Sequence, residues 1–510
     1  MKNIIYIIIA VLIFQNTYSQ QNTFSKVLYS ETQEGITINK AIPSIDSGYI
    51  AVGNNGLIIK TDSIGDVEWG KRFAPYIKFN SVILTNDNNF VTVGRVINNS
   101  TNNFEGLVLK VDLIGDTIWS KTIAGNDNVE LTSVFQTDDD GFILTGNMSN
   151  YPNFQSLICK IDSNGNFLWT KTIIADDFRS FLYSIKQTQF GNYIIVGYIE
   201  RELPSSNWEF NYILLNFSEE GDLIWSKKYF TEYNYSFFKA TDFEITNSGY
   251  VILVQRGSVT ALYKTNFTGE VIWNKFHQSE GVSSPGEANQ NLYTTSDGGF
   301  VYSYGSREGG GIIKTDSAGN SVSTSMLELE PISVSETNNE EYTIFGNGPL
   351  FGVKNYFDVI GIIQMDSLFN DQYCTYSFNS DLLNDTVYSE AITVNLTENL
   401  SPKNTPIQIS SLEILNYEGC VGRTGSIDET KNNIIEIYPN PSKGNFTIES
   451  KNYETGILTI YNLQGQKITD INIKSSKTNL NLNTVIDGMY FYHFKGSDNQ
   501  VYSGKMIIKR

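Results

Sequence analysis

A unit of about fifty residues repeats through this chain, and nothing else in it constrains the fold so strongly. Trp69, Trp119, Trp169, Trp225 and Trp273 are separated by 50, 50, 56 and 48 residues. Four positions before each stands a glycine: Gly65, Gly115, Gly165, Gly221 and Gly269. Gly319 continues that series without its tryptophan, and Asp366 carries the register of Asp62, Asp112, Asp162 and Asp316 one step further. A fixed period in this range marks a repeat architecture, in which each unit buries its apolar face against its neighbours.

The second copy serves as template. Ser81–Thr85, Phe90–Gly94, Gly106–Lys110 and Thr117–Lys121 are short runs rich in β-branched and aromatic residues, bounded by Asn, Asp or Gly. They read as four antiparallel strands, a to d. The b run recurs seven times, ending at Tyr342–Gly346. Seven four-stranded units predict a seven-bladed β-propeller; eight blades also fit the count. Phe24-Ser25-Lys26-Val27 resembles a d strand with no a, b or c before it, so it fits the last blade as the strand that closes the ring. Within the c–d turns, Asp accepts backbone amides and Gly supplies positive φ. The tryptophan then faces the next blade. Burying ~200 Å² of indole at about 25 cal/mol/Å² contributes up to roughly 5 kcal/mol. A ring of sugar-holding tryptophans is the other reading, but recurrence in blade after blade fits a structural role.

The D-x-x-G-x-x-x-W pattern resembles the blades of quinoprotein-like propellers over roughly residues 24–375, with the Asp-to-Gly spacing one residue shorter here. That resemblance implies Trp-docked blades. Enzymes of that family use a quinone, calcium and a catalytic carboxylate, for which this chain has no local motif, and no cofactor is expected.

At 510 residues the chain has room for two or three domains. Its net charge of −19 argues against nucleic acid, which needs clustered Lys and Arg. Residues 1–19 read as a signal peptide: Lys2, an apolar run from Ile4 to Phe14 too short to span a bilayer, then Thr17 and Ser19. No later apolar run is long enough to cross a membrane. Cys159 reads as a buried thiol, and Cys374 and Cys420 as a candidate disulfide in an exported protein.

The a–b and c–d turns are short and uniform, whereas the b–c and d–a connections vary. The b–c connection is Asn54-Asn55 in copy one but Tyr198–Asn211 in copy four. The variable rim gathers Tyr76, Phe79, Tyr151, Phe154, Phe178, Phe181, Trp208, Phe210, Tyr233 and Tyr235. Trp208 breaks the tryptophan register, so docking does not account for it. Tyr76, Tyr151, Phe154, Trp208, Phe210 and Tyr233 are therefore candidates for stacking on a glycan or protein partner. The alternative is that these rings cover the ends of their own blades.

No catalytic constellation stands out. With two histidines, His277 and His493, no zinc spacing exists, and no G-x-S-x-G or Walker loop occurs. Acidic turns such as Thr137–Gly141 lack the bidentate Glu of an EF-hand loop, so no metal is assigned. Paired carboxylates from separate loops remain open to a polysaccharide hydrolase or lyase.

The repeat fades near residue 375. Residues 376–420 read as a β-rich bridging segment and 421–433 as a polar linker. From 434 to 510 the pattern is that of a small Ig-like β-sandwich. Its Tyr438-Pro439-Asn440-Pro441 start with Gly444, the Ile460-Tyr461-Asn462-Leu463-Gln464-Gly465 core, the Gly488-Met489-Tyr490-Phe491 strand and a basic end with Lys505 and Lys509 follow in order. In that order they closely resemble the type A sorting domain of the type IX secretion system. The resemblance implies passage through the periplasm and outer membrane, with the type IX machinery as partner and a surface or secreted destination. Two function readings follow: a non-enzymatic binding scaffold on the propeller, or a hydrolase or lyase with carboxylates in its channel.

Overall fold

A computed structural model of the chain describes residues 24–509 with breaks, the longer ones at 31–34, 232–237, 279–290, 350–357, 370–374, 377–381, 405–408, 419–434, 451–454, 462–466 and 497–500. The expected signal peptide, Tyr151, Tyr233, Tyr235, Cys374, Cys420, Asn440, Pro441 and Gly465 lie outside the described residues. Two compact units divide at Thr424 and Gly425.

The first unit is a seven-bladed propeller. Six blades carry strands a to d in sequence order, from Ile38–Pro43, Tyr49–Gly53, Leu57–Thr61 and Val67–Phe73 in blade 1 to Leu292–Thr294, Phe300–Ser306, Gly309–Thr315 and Ser321–Leu327 in blade 6. Blade 7 takes a to c from Glu330–Glu336, Tyr342–Pro349 and Asp358–Met365, and its d strand is the N-terminal Phe24–Ser30. The a strands of neighbouring blades contact one another all the way round and form the inner ring. An apolar cluster fills each interface between blades. The one between blades 7 and 1 joins Leu28, Phe345, Ile360 and Ile362 to Ile38, Tyr49, Leu57 and Ile59, so the ring is closed.

The tryptophans explain five of the six c–d turn glycines. Each indole lies on the c–d turn glycine of the following blade: Trp69 on Gly115, Trp119 on Gly165, Trp169 on Gly221, Trp225 on Gly269 and Trp273 on Gly319. A Cβ at Gly115 would stand 2.8 Å from the Trp69 ring. The indole Nε1 of Trp69 donates to the carbonyl of Leu113 at 3.1 Å, and Lys71, two residues on, reaches Asp116 at 2.7 Å.

A second repeated device lies at the a–b turns. Lys60, Lys110, Lys160 and Lys314, each nearly buried in a c strand, pair with Asp46, Asp87, Asp139 and Asp297 at 2.7–2.9 Å. The turn carboxylates are thus held by lysine ammoniums and backbone amides. In blade 4, Asn216 replaces the lysine and the turn Thr188–Asn192 contains no aspartate.

Each blade has five strands rather than the four that the repeat predicts. The fifth comes from residues 375–418, the segment read as a bridge. It lays Thr375–Tyr376 on blade 6, Leu382–Leu383 on 5, Val387–Ala391 on 4, Asn395–Thr397 on 3, Ser401–Asn404 on 2, Ile409–Ser411 on 1 and Ile414–Glu418 on 7. Every one is antiparallel to its d strand.

Two further expectations change. Tyr198–Asn211 is largely a hairpin rather than a loop: strands b and c of blade 4 run to Glu202 and from Trp208, paired down to Glu202↔Trp208. Projecting backbone polar groups pair with each other when water does not satisfy them. Phe79, placed on the rim by its sequence, is buried against Phe73 in the core between blades 1 and 2.

In the second unit, a three-stranded sheet (Ile435–Tyr438, Asn445–Ser450, Lys477–Asn481) and a four-stranded one (Lys467–Ile473, Gly456–Tyr461, Gly488–Gly496, Val501–Ile508) share a core of Phe446, Leu458, Ile460, Tyr490, Phe494 and Met506. The Tyr490 hydroxyl donates to the carbonyl of Ile486 at 2.7 Å, and the Lys509 amide to Ser442 at 2.8 Å. Among the described residues no helix is long and apolar enough to cross a membrane.

Candidate binding rim and central channel

The blade 4 hairpin projects from the rim carrying the b–c and d–a connections and brings several candidates together. Arg179, the first residue of that blade, lies between two rings, 5.1 Å from the centre of Phe154 and 4.7 Å from that of Trp208. Trp208 neighbours Phe210 at 6.4 Å, and Phe154 neighbours Phe181 at 5.5 Å. Phe181 stacks on Tyr198 at 4.8 Å, and Tyr198 on Tyr183 at 6.0 Å. On the other face Arg201 lies 4.5 Å over Phe178, which Lys228 also approaches. Apart from buried Tyr198, these rings are half-buried, so an aromatic wall interleaved with cations stays in contact with solvent.

Two carboxylates here are engaged. Glu209 accepts from Arg201 at 2.6–2.7 Å, and Glu200 lies 3.6 Å from Arg179. Burial raises the Glu200 carboxyl above its ordinary value against the pull of Arg179. Tyr76, 67% exposed at φ +70°, stands in the connection between blades 1 and 2, away from this cluster. Of the six candidates the structure therefore gathers Phe154, Trp208 and Phe210. Sequence reasoning missed Arg179, Arg201 and Lys228, although arginine beside alternating aromatics on a strand is a legible signal for cation–π pairing.

The channel is lined by the a strands, and a side-chain bond ties each blade to the next there. Asn39 donates to the carbonyl of Phe79 at 2.7 Å, Asn80 to Leu131 at 2.8 Å and Thr132 to Leu182 at 2.8 Å. Asp242 accepts from the Ser184 hydroxyl at 2.9 Å on one side and from the Leu292 amide at 3.1 Å on the other. Asn291 accepts from the amide of Val334 at 3.1 Å, and Asn347 donates to Ile38 at 2.8 Å, completing the circle. Two residues beyond Asp242, Glu244 pairs with Lys186 at 2.9 Å. Burial opposes ionisation of Asp242, but Lys186, Lys40 and its hydrogen bonds hold it below the usual carboxylate range. Glu244 is pushed upward by burial, only partly offset by Lys186. Lys40 is lowered by burial against the attraction of Asp242. Among the described residues no group of three or more His, Cys, Asp and Glu is placed to hold a metal.

Residues 436–509 match the family of secretion system C-terminal sorting domains. The chain is 30% identical over 86 residues to the ulvan lyase NLR42 of Nonlabens ulvanivorans, a match that spans 17% of this chain and 16% of that protein. Among solved structures it is similar to streptogramin B lyase (TM-score 0.43, 11% identity, 67% of this chain and 98% of that one). It is also similar to the WD40 propeller domain of Doa1 (TM-score 0.41, 12% identity, 67% and 96%). At these scores neither likeness carries information on function. The ordered motifs and the two-sheet core agree with the family match: residues 436–509 are a type IX secretion sorting domain, which directs the chain by way of the periplasm to the outer surface or the medium.

Proposed function

We propose that the chain is an exported binding scaffold whose partner, glycan or protein, seats on the aromatic wall of blades 3 and 4. The observation that carries this reading is the half-buried cluster of Phe154 on blade 3 with Arg179, Trp208 and Phe210 on blade 4. Rings held in place by a guanidinium lose little conformational freedom on stacking, which favours recognition. Trp208→Ala should weaken binding on a glycan array, or to extracellular proteins, by about 2 kcal/mol or more with the melting temperature retained. Binding intact with a lowered melting temperature would mean that the rings cover their own blades.

The hydrolase or lyase reading draws on one observation. Asp242 and Glu244 share a strand in the channel, and their surroundings drive their protonation apart, as in acid–base pairs. Against it, Asp242 already accepts from Ser184, Phe243 and Leu292, and Glu244 from Lys186. Glu244→Gln separates the two: loss of polysaccharide cleavage in that variant, with binding kept, would favour catalysis.

A further inference from the structure

We propose that residues 375–418 are a strap that locks the closed propeller, and that its last strand, Ile414–Glu418, is the catch over the ring-closing strand Phe24–Ser30. The strap visits all seven blades, in the reverse of their chain order from blade 6 to blade 1, and finishes on blade 7. Its strands pair over two to five residues each. No single one of these pairings would hold an independent peptide, since isolated short strands are marginal in water. Strung on one chain they act as a multivalent ligand, each attachment raising the effective concentration of the next. What the outer edges of the d strands recognise is extended backbone, as in strand addition to an exposed sheet edge. In this chain the occupant is its own C-terminal segment.

The last blade shows why the strap matters. Phe24–Ser30 is bound on one side by Asp358–Met365 and on the other by Ile414–Glu418, with Leu28 opposite both Ile360 and Asn416. Without the strap, the strand that closes the ring would itself be an edge strand, paired along one side. With it, the closing strand is paired along both sides, and freeing that strand from the sheet requires both ladders to part. The catch is also the end of the strap that continues toward residues 425–510, so release from the C-terminal side uncovers the closing strand first.

The test nicks the folded, full-length protein at a specific protease site placed within residues 370–374. The fragment 375–510 should stay with the propeller through size-exclusion chromatography in native buffer. Released in mild urea, it should leave a propeller that unfolds about tenfold faster than the intact chain, because interactions that form only after the folding transition state act mainly on the unfolding rate. Separation in native buffer, or an unfolding rate unchanged after release, would overturn the proposal. A second variant needs no cleavage. Asn416→Pro removes a backbone donor from the catch and should speed amide exchange at Val27–Tyr29 about tenfold while Tyr193–Glu202 in blade 4 is unaffected. Equal protection of Val27–Tyr29 in variant and parent would refute the catch.

Discussion

Gly319 and Gly298 lie in the same blade with nearly the same backbone, φ +79° and +81°, and their surroundings differ completely. A Cβ at Gly298 would meet nothing within 4 Å. At Gly319 it would stand 2.7 Å from Cη2 and Cζ3 of Trp273 and 2.9 Å from Cγ of Lys275. Gly298→Ala therefore reads the backbone cost alone, about 1–2 kcal/mol for an L-residue in the left-handed region. Gly319→Ala adds the displacement of a packed indole, which overpacking places at about 1–3 kcal/mol more. Equilibrium urea unfolding followed by far-ultraviolet circular dichroism measures both. In a Trp273→Ala background the excess at Gly319 should disappear, leaving the value found at Gly298. Equal costs at the two glycines, or an excess that survives loss of the indole, would refute blade-to-blade docking.

The turn carboxylates predict acid sensitivity. At Asp87 burial opposes ionisation, yet hydrogen bonds from Lys110 and Thr85 outweigh it and hold the carboxyl at about 2. Asp297 is held at about 2 in the same way by Thr295 and Lys314. Folded values below the unfolded one mean stability that is present above about pH 4 and lost as pH falls toward 2; urea midpoints should drop across that window, and less steeply in an Asp87→Asn, Asp297→Asn double variant. In blade 5, Lys264 donates to Thr246 rather than to a carboxylate, and burial lowers its ammonium to about 8 from 10.5. A depressed lysine costs stability while charged, so stability from this group rises between pH 8 and 10.5. At neutral pH Lys264→Met should be neutral or stabilising, whereas Lys314→Met, which strips Asp297 of its partner, should cost about 1–3 kcal/mol.

The parts of this fold legible in the sequence are those that repeat. The indole-on-glycine contact imposes the same two residue types at the same spacing on each blade, so it survives as a period. The lysine–aspartate pairs left a regular trace at Lys60, Lys110, Lys160 and Lys314, but each lysine and its turn aspartate lie at no fixed interval, and only the register joins them. The strap was legible only as a β-rich bridging segment; its addition to each blade was not, because backbone pairing on an outer edge makes no demand on residue type, and strands of two to five residues are too short to show alternation. The rim was half legible. Unregistered Trp208 pointed to blade 4, but Phe79 and Phe181 lie one position apart on equivalent a strands: Phe79 matches buried Leu182, each beside a β-bulge, while Phe181 precedes it and faces the other way. A one-position offset set by the register is invisible in a residue count.

Blade 7 separates the two reasons for glycine in these turns. The turn after its strand c, which does not lead to a d strand, places Phe369 where the other six blades have glycine, at φ +65°, in the same left-handed region. A phenylalanine bears that conformation, so positive φ alone does not impose glycine. At Gly115, Gly165, Gly221, Gly269 and Gly319 the indole does; Gly65, at φ +80°, receives none, since the d strand of blade 7, Phe24–Ser30, holds no tryptophan. In blade 6, the blade that faces this turn, Ser323 stands in the tryptophan register opposite Lys314. With no ring arriving from outside, the turn supplies its own: Phe369 is buried and meets Tyr342 edge-on at 5.3 Å. The exchange should be reversible in pairs. Ser323→Trp alone should destabilise by about 1–3 kcal/mol, as a ring driven into an occupied site. Phe369→Gly alone should cost about 3 kcal/mol or more through the cavity it opens. Combined, they should lose less than the sum, by roughly 1 kcal/mol or more of favourable coupling. Strict additivity in that double-mutant cycle would mean that the serine and the phenylalanine arose independently and that docking does not govern the turn.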